Sequence, residues 1–179
     1  MSGQDFRLQP FSPLSPPLTI RITGHINRRR GHLAIRYDLR GDLAELVIPA
    51  PAARPARRHG LWEATCFEFF LGVKDAPQYW EFNLSPAGHW NIYRFARYRQ
   101  GMAEETAFTS LPLNLRRHPD SLEVSLELDV GSILAADQPL RAGLAAVIQL
   151  AGGGLTYWAL THPRPEADFH RRDSFLVEL

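Results

Sequence analysis

Leu61–Tyr98, LWEATCFEFFLGVKDAPQYWEFNLSPAGHWNIYRFARY, decides how this chain is read. Its apolar residues recur with period two, which makes it three consecutive strands. In Cys66–Leu71, Phe67, Phe69 and Leu71 share one face, and Cys66, Glu68 and Phe70 the other. In Tyr79–Leu84, Trp80, Phe82 and Leu84 oppose Tyr79, Glu81 and Asn83. Trp90–Phe95 follows, after Ser85-Pro86-Ala87-Gly88, a turn signal of hairpin length. Period two therefore sends Glu68, Glu81 and Asn83 to the face opposite the core. The face of Arg94, on the third strand, depends on a register that alternation alone leaves open.

Outward from this block the pattern continues. Residues 18–23 alternate as a first strand, and Gly24–Gly31 reads as a polar turn. His32–Leu39 pairs back as a hairpin, and Glu45–Ile48 is expected as a third strand. Pro49–Gly60 is a loop rich in proline and arginine. A helical turn is expected near Ala103–Phe108, a strand beginning at Leu113–Leu115, and a helix or loop over Val130–Asp137. Ser121–Leu128 alternates most cleanly of all. Leu144–Leu150 is apolar on both faces, and Gly152-Gly153-Gly154 turns it into Leu155–Leu160. A strand follows the triple glycine where a phosphate loop requires a helix, so it is a hairpin turn. Ser174–Leu179 is expected as a closing strand. Roughly nine or ten short strands without a sustained 3.6-residue period make an all-β antiparallel sandwich, jelly-roll-like, with short helical turns in its loops. Residues 1–17, carrying Pro10, Pro13, Pro16 and Pro17, are expected as an extended lead-in, and 18–179 as one sandwich domain.

Composition narrows the function. With 179 residues, 45% hydrophobic and a net charge of +1, the chain has the profile of a soluble globular domain with no field that recruits nucleic acid or a membrane. Arg28-Arg29-Arg30 and the basic residues Arg54–Arg58 are short runs in apparent loops and read as solvated charges. One cysteine, Cys66, leaves no internal disulfide and no multi-cysteine metal site; set among aromatics, it reads as a buried filler. No stretch approaches the apolar length of a membrane span and no signal segment is visible, so a cytoplasmic location is the default expectation.

The candidate chemistry is sparse. Seven histidines are scattered, and none makes the helical i, i+4 pair of zinc hydrolases. Asp168 and His170 sit two apart in the closing segment, placed for a carboxylate–imidazole bond that pins a loop, or for a metal. Glu68 and Glu81, roughly 5 to 10 Å apart on neighbouring strands, are compatible with glycoside cleavage, the last-ranked reading. Trp62, Trp90 and Trp158 lie at strand ends or turns, where an indole is half exposed or caps the core. Half-exposed indoles beside Glu68, Glu81, Asn83 and Arg94 suit the apolar C–H faces and hydroxyls of a sugar. The same polar residues could equally tie the sheet together.

Three blocks carry a family resemblance. Leu61–Phe70, LWEATCFEFF, is similar to an "LW…TCFE.F" strand. Tyr79–Trp90, YWEFNLSPAGHW, is similar to "YWEFN.SP.G.W". Asp168-Phe169-His170 with Asp173-Ser174-Phe175 closes the set. Over about residues 18 to 179 the chain resembles the DOMON-like domains, a β-sandwich superfamily that includes family 9 carbohydrate-binding modules and haem-binding cytochrome domains, and within it small stand-alone bacterial members. The resemblance implies a non-catalytic sandwich that binds a sugar, or in other branches haem, at one sheet face or end. By motif it points to Trp62, Glu81, Asn83, Trp90 and His170.

The expected function is thus a non-catalytic module for a saccharide or another hydroxyl-rich small molecule, at Trp62, Glu68, Glu81, Asn83, Trp90, Arg94, Trp158 and His170. No cofactor or metal is required. A haem or redox-cofactor domain, with Met102 the one internal methionine for an axial ligand, is the alternative. A structural or protein-interaction module without a small ligand is the other. Some sugar-binding relatives hold calcium, but no acid-rich calcium loop stands out. Self-pairing of the sandwich is left open.

Overall fold

The computed structural model of the chain describes residues 3–13 and 19–179. Among them are thirteen strands: β1 Gln4–Arg7, β2 Gln9–Pro10, β3 Arg21–Arg29, β4 His32–Arg40, β5 Cys66–Val73, β6 Tyr79–Leu84, β7 Trp90–Phe95, β8 Ala103–Glu104, β9 Leu113–His118, β10 Ser121–Asp129, β11 Leu140–Gln149, β12 Leu155–Ala159 and β13 Val177–Glu178. They make two sheets, a smaller one ordered β1-β3-β4-β10-β9 and a larger one ordered β2-β12-β11-β5-β6-β7-β8, with β13 beside β12 on the free edge of β11. Every ladder between these strands is antiparallel. No helix among the described residues is long and apolar enough to cross a membrane.

Alternation makes the sandwich. On the smaller sheet Leu33, Ile35, Tyr37 and Leu39 of β4 stand opposite Leu128, Leu126, Val124 and Leu122 of β10, all buried. The larger sheet answers with Phe67, Phe69 and Leu71 of β5 and Phe82 and Leu84 of β6. Phe69 and Phe82, directly paired, stack at 4.2 Å and 12°. Burying such side chains stabilises the fold by about 1.5–3 kcal/mol each. The sheets are also stitched by the Tyr37 hydroxyl, which donates to the Glu68 carbonyl at 2.7 Å.

Several local expectations are corrected. The N-terminal stretch is extended, yet it joins both sheets: β1 pairs with β3, β2 with β12, and Phe6 and Leu8 enter the core. The expected start of the first strand at Leu18 lies outside the described residues. The strand β3 runs on through Gly24 to Arg29, because Gly24 leaves at a core position the space that Phe6 fills; a Cβ there would stand 2.4 Å from the Phe6 ring. The turn is only Arg30-Gly31, both at positive φ. Leu43–Glu45 is a 3-10 turn, and the expected strand at 45–48 shrinks to one bridge, Leu46 to Leu150. Ala103–Glu104 is a short strand pairing with β7, not a helical turn. The closing segment makes a 3-10 turn at Arg172–Ser174 before the two-residue β13.

Arg57 departs from the solvated loop charge expected of it. Its guanidinium donates to Asn91 Oδ1 and to the Glu105 and Phe108 carbonyls, and stacks 4.3 Å over the Trp90 ring. Arg28 similarly donates to the Ala135 and Gln138 carbonyls.

Candidate functional site

The central strands β5 and β6 of the larger sheet are buried on both faces. Strand register sets the outer face in rows: Gly143, Phe70, Glu81 and Tyr93 run across β11, β5, β6 and β7, and Ala159, Ala145, Glu68, Asn83 and Asn91 across β12 to β7. Glu68 is thus directly opposite Asn83 and diagonal to Glu81. Beside Glu68 stand Ala145 and Val147, whose short side chains leave depth above the sheet. Over the Phe70 row the closing segment folds back; Phe175 packs so close to β11 that a Cβ on Gly143 would lie 2.6 Å from its ring.

What remains between these covers is a cleft of about 430 Å³. Its floor takes one or two side chains from each of five strands: Leu155 and Tyr157, Val147, Glu68, Glu81 and Phe95. Trp62 and Glu63 from the 3-10 turn Leu61–Glu63, Arg99 and Met102 from the β7–β8 loop, and Ala167, Phe169 and His170 from the closing segment complete it. The volume falls in the range of small-molecule sites, roughly 300–1,000 Å³. Trp62 is braced edge-on by His59 and Tyr93, at 5.0 and 5.8 Å. Phe169 meets Tyr157 edge-on at 6.2 Å.

The polar floor is held by a network. Asn83 Nδ2 donates to Glu81 Oε1 at 2.9 Å. The Arg99 backbone N–H donates to the Tyr79 oxygen, which also shares a hydrogen bond of 2.9 Å with His170 Nδ1. The other ring nitrogen, Nε2, lies 3.8 Å from Glu81 Oε2. Asp168 accepts from the Tyr98 hydroxyl, the Arg99 guanidinium and the His170 backbone N–H, which fixes the loop that carries His170. The expected carboxylate–imidazole bond is therefore corrected: Asp168 holds the backbone of His170, and the ring turns inward.

Glu68 stands outside this network. Its side chain is 3% exposed, and Oε1 has no partner. Burial first, and the nearby Glu81 second, raise its carboxyl well above the usual carboxylate range. Burial also lifts Glu81 to about 7, against the lowering influence of Asn83 and Arg99. Burial and the Arg99 charge bring His170 down to about 4, so its imidazole is neutral at pH 7. Burial raises Tyr79 to about 12.

Of the residues singled out from sequence, the fold gathers Trp62, Glu68, Glu81 and His170 at one cleft and sets Asn83 beneath it as the partner of Glu81. Three expected members lie elsewhere. Trp90 is opposite Leu84 and shares its core-facing side, 4% exposed under Arg57. Trp158 is also in the core, its indole N–H spent on Thr156 Oγ1 at 3.0 Å. Arg94 pairs with Trp80, on the side of β7 opposite the cleft, and is exposed. The register of β7 decides two of these: Asn91, Tyr93 and Phe95 face outward, so Trp90, Ile92 and Arg94 do not. Phe95, Arg99, Tyr157 and Phe169 were not among the residues expected. The hairpin turn at Ser85–Gly88, with its Gly88 N–H bonded to the Ser85 carbonyl, carried the signal for Phe95, because it fixes which β7 residues oppose Tyr79 and Glu81.

The fold and cleft define an antiparallel β-sandwich with a small-molecule-sized recess on the outer face of one sheet. No family model matches the chain, and no curated protein does. Among solved structures it is similar to a protein from Bacteroides uniformis described as a "putative carbohydrate-binding protein", at 13% identity and a TM-score of 0.72, over 96% of this chain and 84% of that one. That likeness shows the sandwich fold.

Proposed function

We propose that this protein is a non-catalytic, DOMON-like binding module whose cleft takes a saccharide or another hydroxyl-rich small molecule. The observation that carries the reading is the pairing of aromatic walls with a polar floor. Trp62, Tyr157 and Phe169 offer aromatic surface for C–H faces, and Glu68, with its unpartnered Oε1, offers hydrogen-bonding capacity to hydroxyls. The shared architecture with the Bacteroides protein supports it.

Binding is preferred to hydrolysis because nothing beyond the proximity of Glu68 and Glu81 on neighbouring strands marks them as a catalytic pair, and that proximity is common on sheet faces. Haem is the less favoured reading, because His170 Nδ1 is held by the Tyr79 hydroxyl at 2.9 Å and, among the described residues, the lining of the cleft offers no second histidine.

A glycan array followed by calorimetry tests the proposal. One or more saccharides should bind, and Trp62→Ala should abolish that binding while the melting temperature holds. An array without a single ligand would end the saccharide reading.

A further inference from the structure

The Glu68 carboxyl on the floor of the cleft is short of donors. Asn83 Nδ2 donates to Glu81, the Tyr79 hydroxyl meets His170, and the Tyr98 hydroxyl and Arg99 guanidinium donate to Asp168; none of these reaches Glu68 Oε1. Glu68 Oε1 is buried without a partner, and the nearest group to Glu81 Oε2 on His170 is Nε2, 3.8 Å away, beyond hydrogen-bonding distance. A buried polar oxygen left in this state is destabilising, and a ligand that donates to it removes that cost.

Charge points the same way. Among the described residues the one arginine or lysine lining the cleft, Arg99, is paired with Asp168 at 2.8 Å, while Glu63, Glu68 and Glu81 line it with no arginine or lysine bonded to them. Anionic ligands such as phosphates or carboxylates would meet acids. The same cleft is lined by Trp62, Tyr157 and Phe169, aromatic rings whose negative faces attract a cation.

We infer that the ligand carries an ammonium group, and that the cleft selects it over a neutral isostere by seating it against Glu68 and Glu81 among the aromatic side chains. For a saccharide this means an amino sugar with a free amine, an inference that in that form rests on the saccharide reading above. An ammonium presents three N–H donors and a positive charge together, and fits two adjacent carboxyls better than a hydroxyl does. The groups facing Glu68 are Glu81 from β6, His170 from the closing segment, Arg99 from the β7–β8 loop and Glu63 from the 3-10 turn, with Cys66 next but one on its own strand. Among these a cation favours the ionised carboxyl, so its entry releases the Glu68 proton to solvent.

Calorimetry on the full chain at pH 7.5 with three probes tests this: glucosamine, glucose and cyclohexylammonium. Glucosamine should bind about tenfold or more tighter than glucose, the ratio expected of one charge-assisted hydrogen bond. Its binding heat should depend on the buffer's ionisation enthalpy as a proton is released. In Glu68→Gln, an isosteric change checked by its melting temperature, the ratio should fall toward one. Equal affinity for glucose and glucosamine would overturn the ammonium inference and leave the saccharide reading standing. Binding of cyclohexylammonium alone would uphold the inference and end the saccharide reading. Silence from all three would overturn both.

Discussion

Strands β5, β6 and β7, apart from Arg94, bury both of their faces, yet the two burials are of opposite kinds. The inner face meets a second sheet through Phe67, Phe69, Leu71, Phe82, Leu84 and Ile92, apolar against apolar. The outer face carries Glu68, Glu81, Asn83 and Asn91 with Tyr79 and Tyr93, and is covered by loops instead of a sheet. Close packing settles the first face; hydrogen bonds that fix donors and acceptors settle the second. One residue, Glu68, is left unsettled, and it sits where the cover opens. Burial alone therefore does not mark a core. What distinguishes the faces is whether each buried polar atom has found a partner.

The largest effect expected on substitution tests the inner face. Phe82→Ala removes one ring of the Phe69–Phe82 stack and should lower stability by about 3–5 kcal/mol, read from denaturant unfolding. On the outer side, Trp62→Ala removes a half-buried wall and should cost at most about 1 kcal/mol while ligand binding disappears. If both substitutions destabilised equally, the cleft face would be a second core and the distinction would fail. Arg57→Ala comes next. It strips three acceptors of a cationic donor and uncovers Trp90, and about 1–3 kcal/mol of stability should go with it, without a change in cleft binding.

The contrast between the faces was largely legible in the sequence; the membership of the site was only partly so. Period two in Cys66–Leu71 and Tyr79–Leu84 is enough to separate Phe67, Phe69 and Phe82 from Glu68, Glu81 and Asn83, because pleating leaves no other arrangement. Trp90 and Arg94 were misplaced for want of one fact, the phase of β7, which the Ser85–Gly88 turn sets and composition does not. Trp158 shows a different limit: a tryptophan beside a glycine-rich turn resembles an exposed indole, but its register opposite Ala146 turns it into the core. Arg99 and Phe169 lie on connections, and only the folded chain brings them over the sheet.

A smaller, pH-dependent effect separates an unpaired acid from a paired one. The Glu68 carboxyl is raised in the folded chain above its ordinary 4.5, by burial and then by Glu81. Below pH 4.5 both folded and unfolded states hold the proton. As pH rises the unfolded state releases it first, so this group's contribution to stability falls with pH. Glu81, at about 7, acts in the same direction between pH 4.5 and 7. His170, at about 4 against 6.5, acts the other way: its contribution is lost as pH falls from 6.5 to 4. Glu68→Gln should therefore melt higher than the parent at pH 8, with the gap closing toward pH 4.5. Glu81→Gln should keep the accepting oxygen for Asn83 only if its amide turns correctly, and so should gain less at pH 8. A gap for Glu68→Gln that stays constant with pH would mean that the carboxyl is solvated after all.

The smallest expected effect belongs to Arg94, and it tests the comparison where the faces meet the edge of the sandwich. Arg94 shares its side of β7 with Trp90 and Ile92, yet it is exposed where they are buried, so the smaller sheet does not reach over it. It belongs to neither interior. Its neighbour across the ladder, Trp80, is tied down separately by its indole N–H, which donates to Glu105 Oε2 at 3.0 Å. Arg94→Ala should consequently change stability by no more than about 0.5 kcal/mol, measured by thermal melting, and should leave ligand affinity where it was. A loss of affinity would require the guanidinium to act through the sheet from the opposite face, and would undo the assignment of the cleft to the outer side of β5, β6 and β7.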